Sequence, residues 1–159
     1  MIKAKFYYKD INAPIPNKPN HIGTSAIIKY NNKILLEKRS DSDRWALIGG
    51  GLKITESLEA GIVREIQEEI GIKINEEQLT YWKIFSDPTR IAAYPDGNVL
   101  RVITVVYTLE LNNEHELVCS EESEKLKYFS IDELRNIKIA ETHRHIVDEY
   151  IYEQNLMDR

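Results

Sequence analysis

One segment of the sequence, residues 49–71, constrains the fold most strongly, because it joins a run of three glycines to an amphipathic helix. Apolar residues recur at every fourth position of this helix, which predicts a single buried face. These residues are Leu58, Ile62, Ile66 and Ile70. We predict that the helix covers about residues 56–70, with Thr55 as its N-cap and Gly71 as its stop.

The same helix carries three carboxylates, Glu65, Glu68 and Glu69, at positions i, i+3 and i+4. This spacing places them on one face, with Cβ atoms about 5–6 Å apart. Like charges at this distance destabilise a bare helix, and a hard cation such as Mg²⁺ would remove the repulsion. The adjacent Arg64 can hold a carboxylate through a bidentate hydrogen bond. Taken alone, the cluster is equally consistent with a solvated acidic face.

The residues around the cluster favour the metal site. Their order is Gly50, five residues, Glu56, seven residues, Arg64-Glu65-Ile66, one residue, Glu68-Glu69, one residue and Gly71-Ile72. This order resembles the Nudix box, the signature of the Nudix (MutT-like) hydrolases, at all seven of its invariant positions over residues 50–72. Ile66 and Ile72 fill its two aliphatic positions, and Ile48 stands where many relatives have a proline.

The resemblance implies an α+β fold, a Nudix-type α/β/α sandwich on a mixed β-sheet, formed as one domain by residues 1–159. It also implies a hydrolase that cleaves the pyrophosphate linkage of a nucleoside diphosphate derivative with Mg²⁺, which Mn²⁺ can replace. By the same resemblance Arg64 and Glu56 orient the carboxylates. The residues that would hold the metal are Glu65, Glu68, Glu69 and the backbone carbonyl at Gly50.

The general base that activates water lies, in this family, either in the box or on a later loop. Glu65 is the candidate of the first kind. The candidates of the second kind are Glu121, Glu122 and Glu124. Glu122 is favoured among them because of its position ahead of a predicted strand at residues 125–129. An exposed carboxylate without a role is the alternative for each loop residue.

The loop at residues 85–90 resembles the corresponding segment of ADP-ribose pyrophosphatases, which favours ADP-ribose or another nucleotide sugar as substrate. Arg39 and Arg90 are candidates for phosphate contacts, and Trp45 is a candidate for stacking on a base. The alternative for each is a surface cation or a core aromatic residue. Further candidates of the same two kinds are Arg44, Arg101, Trp82 and Tyr94.

Three other functions stay open: a pyrophosphohydrolase of ordinary or oxidised nucleoside triphosphates, an RNA-end pyrophosphohydrolase, and a non-catalytic module that senses a nucleotide. The intact carboxylates and arginine of the box favour an enzyme over a sensor. The net charge of −5, from 21 basic and 26 acidic residues, counts against a general nucleic-acid-binding surface. The resemblance implies a nucleotide-type small molecule as the partner. The negative net charge does not exclude such an anion, since a divalent metal reverses the charge of a site locally.

The remaining elements follow from apolar patterning and turn residues. Two strands, at residues 24–30 and 33–38, are joined by a tight turn at Asn31-Asn32. Residues 86–98 are predicted to form a loop. The further predicted elements are a strand at residues 80–85, a long strand that includes Val105, Tyr107, Leu109 and Leu111, a strand at residues 125–129, a short helix capped by Ser130 and Glu133, and a helix at about residues 142–155.

Residues 1–20 are predicted to form an extended arm, an edge strand or a strap, because its three prolines restrict the backbone. They are Pro14, Pro16 and Pro19. The arm is also a candidate surface for a homodimer.

No stretch approaches the length of a membrane span, and Cys119 is the only cysteine. We therefore expect a soluble protein in the reducing cytoplasm, with no membrane partner. His143 and His145 lie two positions apart on a predicted helix, so they project to different sides and cannot share one metal ion. Both are predicted to be surface residues.

Overall fold

The computed structural model describes residues 3–157 of the 159-residue chain and shows an α+β fold. The helices are α1 (Leu58–Ile70), α2 (Ile131–Leu134) and α3 (Glu141–Met157), and a short 3-10 helix spans Glu76–Gln78. The strands are β1 (Lys5–Tyr7), β2 (His21–Tyr30), β3 (Lys33–Arg39), β4 (Trp45–Ala46), β5 (Ile48–Gly51), β6 (Thr80–Phe85), β7 (Ile91–Ala93), β8 (Val99–Glu110) and β9 (Ser123–Phe129).

The sheet is mixed, and its centre is the parallel pair of β2 and β8. β3 and β5 run antiparallel to β2, whereas β6 and β7 run antiparallel to β8. β4 and β9 pair with β3, and β1 lies at the edge on β7. Because α1 covers one face of the sheet and α3 the other, the predicted sandwich on a mixed sheet is confirmed.

Each helix buries one apolar face on the sheet. Ile62, Ile66 and Ile70 of α1 are fully buried against β2, β3 and β8, which confirms the predicted stripe. Ile146 and Val147 of α3 pack on the opposite face. Burial of one such side chain contributes about 1.5–3 kcal/mol relative to exposure. Within residues 3–157, no helix combines the length and the apolar composition that crossing a membrane would require.

The start of α1 differs from the prediction, whereas its end agrees with it. The N-cap is Ser57, whose hydroxyl accepts a hydrogen bond from the N–H of Ala60 at 3.1 Å, and not Thr55. The reason is that Glu56 belongs to a turn: its carboxylate accepts the Lys53 N–H at 2.8 Å. Gly71 ends the helix at φ 77, in the left-handed region that glycine adopts readily.

The edge of the sheet is formed partly by a segment predicted as a loop. Within residues 86–98, β7 pairs with β8 on one side and with β1 on the other, so the loop prediction was wrong at residues 91–93. β1, at Lys5–Tyr7, lies at the edge of the sheet, within the arm that was predicted to be an edge strand or a strap. Ile11 and Ile15, farther along the arm, are exposed, and a homodimer through this surface stays a prediction.

Arg90, predicted to contact a phosphate, is instead buried in the protein. The side chain is 0% exposed. Its guanidinium donates to the carbonyls of Phe85, Val102 and Thr142, to Thr104 Oγ1 and to His145 Nε2, at distances of 2.6–3.1 Å. Because every guanidinium nitrogen is bonded inside the protein, Arg90 joins β6, β8 and α3, and its prediction as a substrate-binding residue is corrected.

His145 is correspondingly a partly buried residue and not the surface residue that was predicted. Its ring stacks on Tyr8 with centroids 3.7 Å apart, and its Nε2 accepts the hydrogen bond from Arg90 Nε. Burial and the positive charge of Arg90 lower the pKa of His145 to about 4. The ring is therefore neutral in the folded protein at neutral pH.

We expect acid to destabilise the protein through His145. In the unfolded chain a histidine has a pKa of about 6.5. The neutral ring therefore contributes its full stability above pH 6.5, and this contribution is lost as pH falls towards 4. At pH 5 the loss amounts to about 1–2 kcal/mol. Urea unfolding of His145→Gln should show a smaller loss of stability between pH 7.5 and pH 5 than the parent. His115→Gln, at an exposed histidine, is the control; an equal loss in His145→Gln and the parent would contradict this account.

Candidate functional site

Arg64, in the middle of α1, is the centre of an ion-pair network. Its Nε and Nη2 donate to the two oxygens of Glu56 at 2.9 and 2.5 Å, which is a bidentate pair. Nη1 donates to Glu65 at 2.9 Å and to Glu68 at 3.0 Å, and Nη2 also reaches the Gly51 carbonyl at 3.0 Å. The hydrogen bonds from Arg64 lower the pKa of Glu56 to about 2. The network therefore fixes the guanidinium between the glycine strand β5 and the acidic face of α1.

Glu65 and Glu69 project from α1 towards the sheet and are only 8% and 4% exposed. Burial raises the pKa of both carboxyls, and for Glu69 it rises to about 7 because Glu37 lies beside it. Glu68 projects outwards instead, with 54% of its side chain exposed. The three carboxylates thus share the helix face that was predicted, but the interior holds two of them and solvent reaches the third.

Gly50 lies directly against Glu65. A Cβ atom at this position would lie 2.5 Å from Glu65 Oε1, which no side chain could tolerate without displacing the carboxylate. The residue pairs with Thr24 in the ladder between β5 and β2, so the backbone has little freedom to move away. Glycine therefore lets the Glu65 carboxylate lie directly on the strand, whereas a Cβ would push the carboxylate aside; a role for the Gly50 carbonyl as a metal ligand stays a prediction.

Glu37, from β3, is a member of the acidic cluster that the sequence analysis missed. It is 6% exposed, and its Oε2 accepts a hydrogen bond from Ser123 Oγ at 2.6 Å. The same hydroxyl lies 3.5 Å from Glu69 Oε2, and Ser120 Oγ donates to that oxygen at 3.2 Å. Burial raises the pKa of Glu37. Two buried carboxyls from β3 and α1 are thus linked through serines that precede and begin β9.

Glu122, the favoured loop candidate for a general base, lies next to Glu69 and directly before β9. Its pKa is raised by the adjacent Glu69, and its backbone carbonyl accepts hydrogen bonds from the backbone N–H and the hydroxyl of Ser40. These bonds join the loop before β9 to the end of β3. Of the three loop candidates for a general base, Glu122 is the one that lines the adjoining cleft.

The donor set suits a hard divalent cation. Within residues 3–157, no three histidine, cysteine or acidic side chains converge on one point as a complete metal site. The reason is visible in the hydrogen bonds: Arg64 holds Glu65 and Glu68, and two serines lie against Glu69. Carboxylate oxygens are the ligands that Mg²⁺ and Mn²⁺ prefer, and a cation would relieve the raised pKa of Glu69.

A cleft of about 480 Å³ opens beside these carboxylates, between β2, β5 and the start of α3. This volume is within the range of sites for small molecules, about 300–1,000 Å³. Glu37 and Glu122 line the cleft on the acidic side, and the glycines of β5 form part of its floor. Phe6 of β1 and Tyr94 contribute aromatic walls. The arm therefore helps to build the cleft, which its prediction as a strap did not specify.

The predicted substrate-binding residues occupy different places. Arg39 lines the cleft, where Asp41 accepts its Nε and Nη2 hydrogen bonds at 2.7 and 2.6 Å and the guanidinium lies 4.8 Å from the centre of the Phe6 ring. Trp45 does not line the cleft: its partly buried indole packs edge-on against Phe129, with centroids 4.8 Å apart, beside the core cluster on the α3 face of the sheet. The prediction that Trp45 stacks on a base is therefore corrected, as was that of Arg90.

A family model and individual relatives of known function indicate the same protein family. A family model described as the NUDIX domain matches residues 19–150. An ADP-ribose pyrophosphatase of Methanocaldococcus jannaschii is 31% identical over 137 residues, which cover 84% of this chain and 75% of that protein. A nucleoside triphosphatase NudI of Klebsiella pneumoniae is 30% identical over 94 residues, which cover 58% of this chain and 66% of that protein.

Solved structures extend the comparison to the fold. A bifunctional NMN adenylyltransferase/ADP ribose pyrophosphatase from Francisella tularensis, complexed with AMP and a Mn ion, superposes with a TM-score of 0.70 at 27% sequence identity. The similarity covers 87% of this chain but only 43% of the Francisella chain. This chain therefore spans less than half of that protein, and it aligns with about two thirds of the Klebsiella relative.

Proposed function

This chain belongs to the NUDIX family of hydrolases, and from that premise we propose that it cleaves the pyrophosphate linkage of a nucleoside diphosphate derivative with a divalent cation. The observation that carries the proposal is the pair of buried carboxylates, Glu65 and Glu69, beside a cleft of nucleotide size. Buried carboxylates are costly unless a charged partner or a metal compensates them. Mg²⁺, which Mn²⁺ can replace, is the proposed cation.

We assign a separate role to each group of residues in the site. Glu65, Glu68, Glu69 and the Gly50 carbonyl would hold the cation. When bound, it would neutralise the pyrophosphate and increase the acidity of a water molecule. Arg64, itself fixed by Glu56, orients Glu65 and Glu68. Arg39, pre-positioned by Asp41, would contact a phosphate. Glu122 or Glu65 would accept the proton of the attacking water.

The favoured substrate is ADP-ribose or another nucleotide sugar, because the relative with the longer alignment is named as an ADP-ribose pyrophosphatase. The similarity to nucleoside triphosphatases NudI supports a second candidate, an ordinary or oxidised nucleoside triphosphate. An RNA end stays a third candidate, which competition between RNA and free nucleotide would test.

The proposal is tested by phosphate release from a panel of ADP-ribose, other nucleotide sugars, dinucleoside polyphosphates and nucleoside triphosphates. Each reaction is run with Mg²⁺, with Mn²⁺ and with EDTA, and a phosphatase is added to reveal monophosphate products. We expect cleavage of ADP-ribose to AMP and ribose 5-phosphate, and its loss in EDTA. Cleavage of triphosphates alone would favour the second candidate. If no substrate is cleaved but a nucleotide raises the melting temperature, the chain is a nucleotide sensor and the proposal is wrong.

A further inference from the structure

His143, in the first turn of α3, lines the same cleft and has no part in the acidic cluster. Its Nδ1 accepts a hydrogen bond from the backbone N–H of Leu47 at 3.0 Å. A ring nitrogen that accepts a hydrogen bond carries no proton, so the proton of the neutral ring resides on Nε2. Burial and the nearby charges of Arg90 and Arg39 lower the pKa of His143, which keeps the ring neutral. The backbone of Leu47 thus makes Nε2 a hydrogen-bond donor only.

The Nε2–H of His143 is free to bind a ligand. Among the described residues it has no hydrogen-bond partner in the protein. Nε2 is also not sealed in the interior. Within residues 3–157, the side-chain nitrogen and oxygen atoms that are fully buried and lack a partner are Thr24 Oγ1 and Arg101 Nε. Since His143 Nε2 lacks a partner but is not one of these atoms, it is accessible from outside the protein. An unpartnered donor that is not sealed, on a residue that lines the cleft, is available to a molecule in the cleft.

Polar and apolar residues share the lining of the cleft that contains His143, and the charges of Arg90 and Arg39 lie near its ring. Ser25 and Thr142, each 4% exposed, line the cleft with hydroxyls that have no partner in the described part of the chain. Leu47 and Val102 add apolar walls. Apolar walls with a few placed neutral donors suit a flat, uncharged heteroaromatic ring, whereas a phosphate would pair with Arg39 or with a cation held by the carboxylates.

We propose that His143 donates its Nε2–H to a hydrogen-bond acceptor on the edge of the substrate's nucleobase, and that this bond makes the base a determinant of specificity. The inference rests on the proposed function only in that the bound molecule is a nucleotide. Since Nε2 cannot accept, a base edge that presents only an amino group here is disfavoured. Where the bound base excludes water from this bond, removing one member of the pair leaves the other without a partner, so a single hydrogen bond can discriminate between bases.

Two substitutions separate the two nitrogens of His143. In His143→Asn the side-chain oxygen lies near the position of Nδ1 and can still accept the Leu47 N–H, but no donor replaces Nε2–H. In His143→Gln the amide nitrogen reaches the position of Nε2 and can donate into the cleft, but the Leu47 N–H loses its acceptor. Asparagine therefore tests the bond to the ligand, and glutamine tests the structural bond.

Binding of AMP and of ribose 5-phosphate, which lacks the base, is measured by calorimetry in EDTA with the full chain. We expect the parent to bind AMP at least tenfold more tightly than ribose 5-phosphate. His143→Asn should lower the affinity for AMP about tenfold and leave that for ribose 5-phosphate unchanged. His143→Gln should keep the preference for AMP although its melting temperature falls. With a cleaved nucleotide, His143→Asn should raise KM and leave kcat nearly unchanged.

The inference is overturned if the parent does not prefer AMP, or if His143→Asn changes binding of both molecules equally, which would indicate a contact to the sugar or a structural effect. These results are independent of hydrolysis. A parent protein that prefers AMP through His143 but cleaves no member of the panel would refute the proposed hydrolase and support the base contact. Cleavage without any effect of His143→Asn on the preference for AMP would do the opposite.

Discussion

Replacement of Glu69 by glutamine is expected to lower turnover about a hundredfold or more while the fold stays intact. The amide keeps the shape of the side chain and can still interact with Ser120 and Ser123, but it removes the negative charge that a divalent cation requires. Burial and Glu37 raise the pKa of the Glu69 carboxyl to about 7, so the charged form is unfavourable without a cation. The melting temperature of Glu69→Gln in EDTA should therefore equal or exceed that of the parent.

The matched control is Glu77→Gln, which removes one negative charge from the exposed 3-10 helix after α1. It should retain parental turnover, which separates the loss of a metal ligand from a change in net charge. The measurement is the rate of hydrolysis of the preferred substrate against Mg²⁺ concentration for the three proteins. If purified Glu69→Gln hydrolysed substrate at the parental rate, Glu69 would not be a metal ligand.

The acidic face of α1 could be predicted from the sequence because its geometry is local. Residues three and four positions apart on a helix share a face whatever the rest of the chain does, so the spacing of Glu65, Glu68 and Glu69 was sufficient. The bonds from Arg64 to Glu65 and Glu68 are also local, and the turn at Asn31-Asn32 follows from the positive φ that asparagine tolerates. Such features need no knowledge of which segments meet in space.

Glu37 could not be assigned in this way, because its neighbour Glu69 lies on another element, α1, 32 residues farther along the chain. The one local signal was a charged residue at the end of the apolar run Ile34-Leu35-Leu36, on the strand face of Leu35. The prediction that Arg90 contacts a phosphate was wrong because it treated a buried residue as an exposed one. A surface arginine and a buried one look alike in sequence, and only the carbonyls of three separate segments around the guanidinium reveal its structural role.

Replacement of Arg64 by alanine is expected to damage both stability and activity, because this one side chain donates hydrogen bonds to three carboxylates. Without it Glu56, Glu65 and Glu68 repel one another with no cation between them, and the Gly51 carbonyl loses a donor. Breaking a buried ion pair costs about 3–5 kcal/mol, and the partial exposure of this network reduces the expected loss to about 2–3 kcal/mol. Turnover should fall at least a hundredfold, since Glu65 and Glu68 lose the group that orients them.

Arg64→Lys separates charge from geometry. Lysine keeps the positive charge but cannot bind both oxygens of Glu56 while it also reaches Glu65, because it lacks the planar fork. It should therefore recover most of the stability lost in Arg64→Ala, as measured by urea unfolding, but little of the turnover. Glu56→Gln is the reciprocal test, since it removes the anchor of the guanidinium without touching a metal ligand, and it should lower turnover in the same direction. Full activity in Arg64→Lys would mean that charge alone is needed, and that the carboxylates are held in place by the fold of α1 rather than by the arginine.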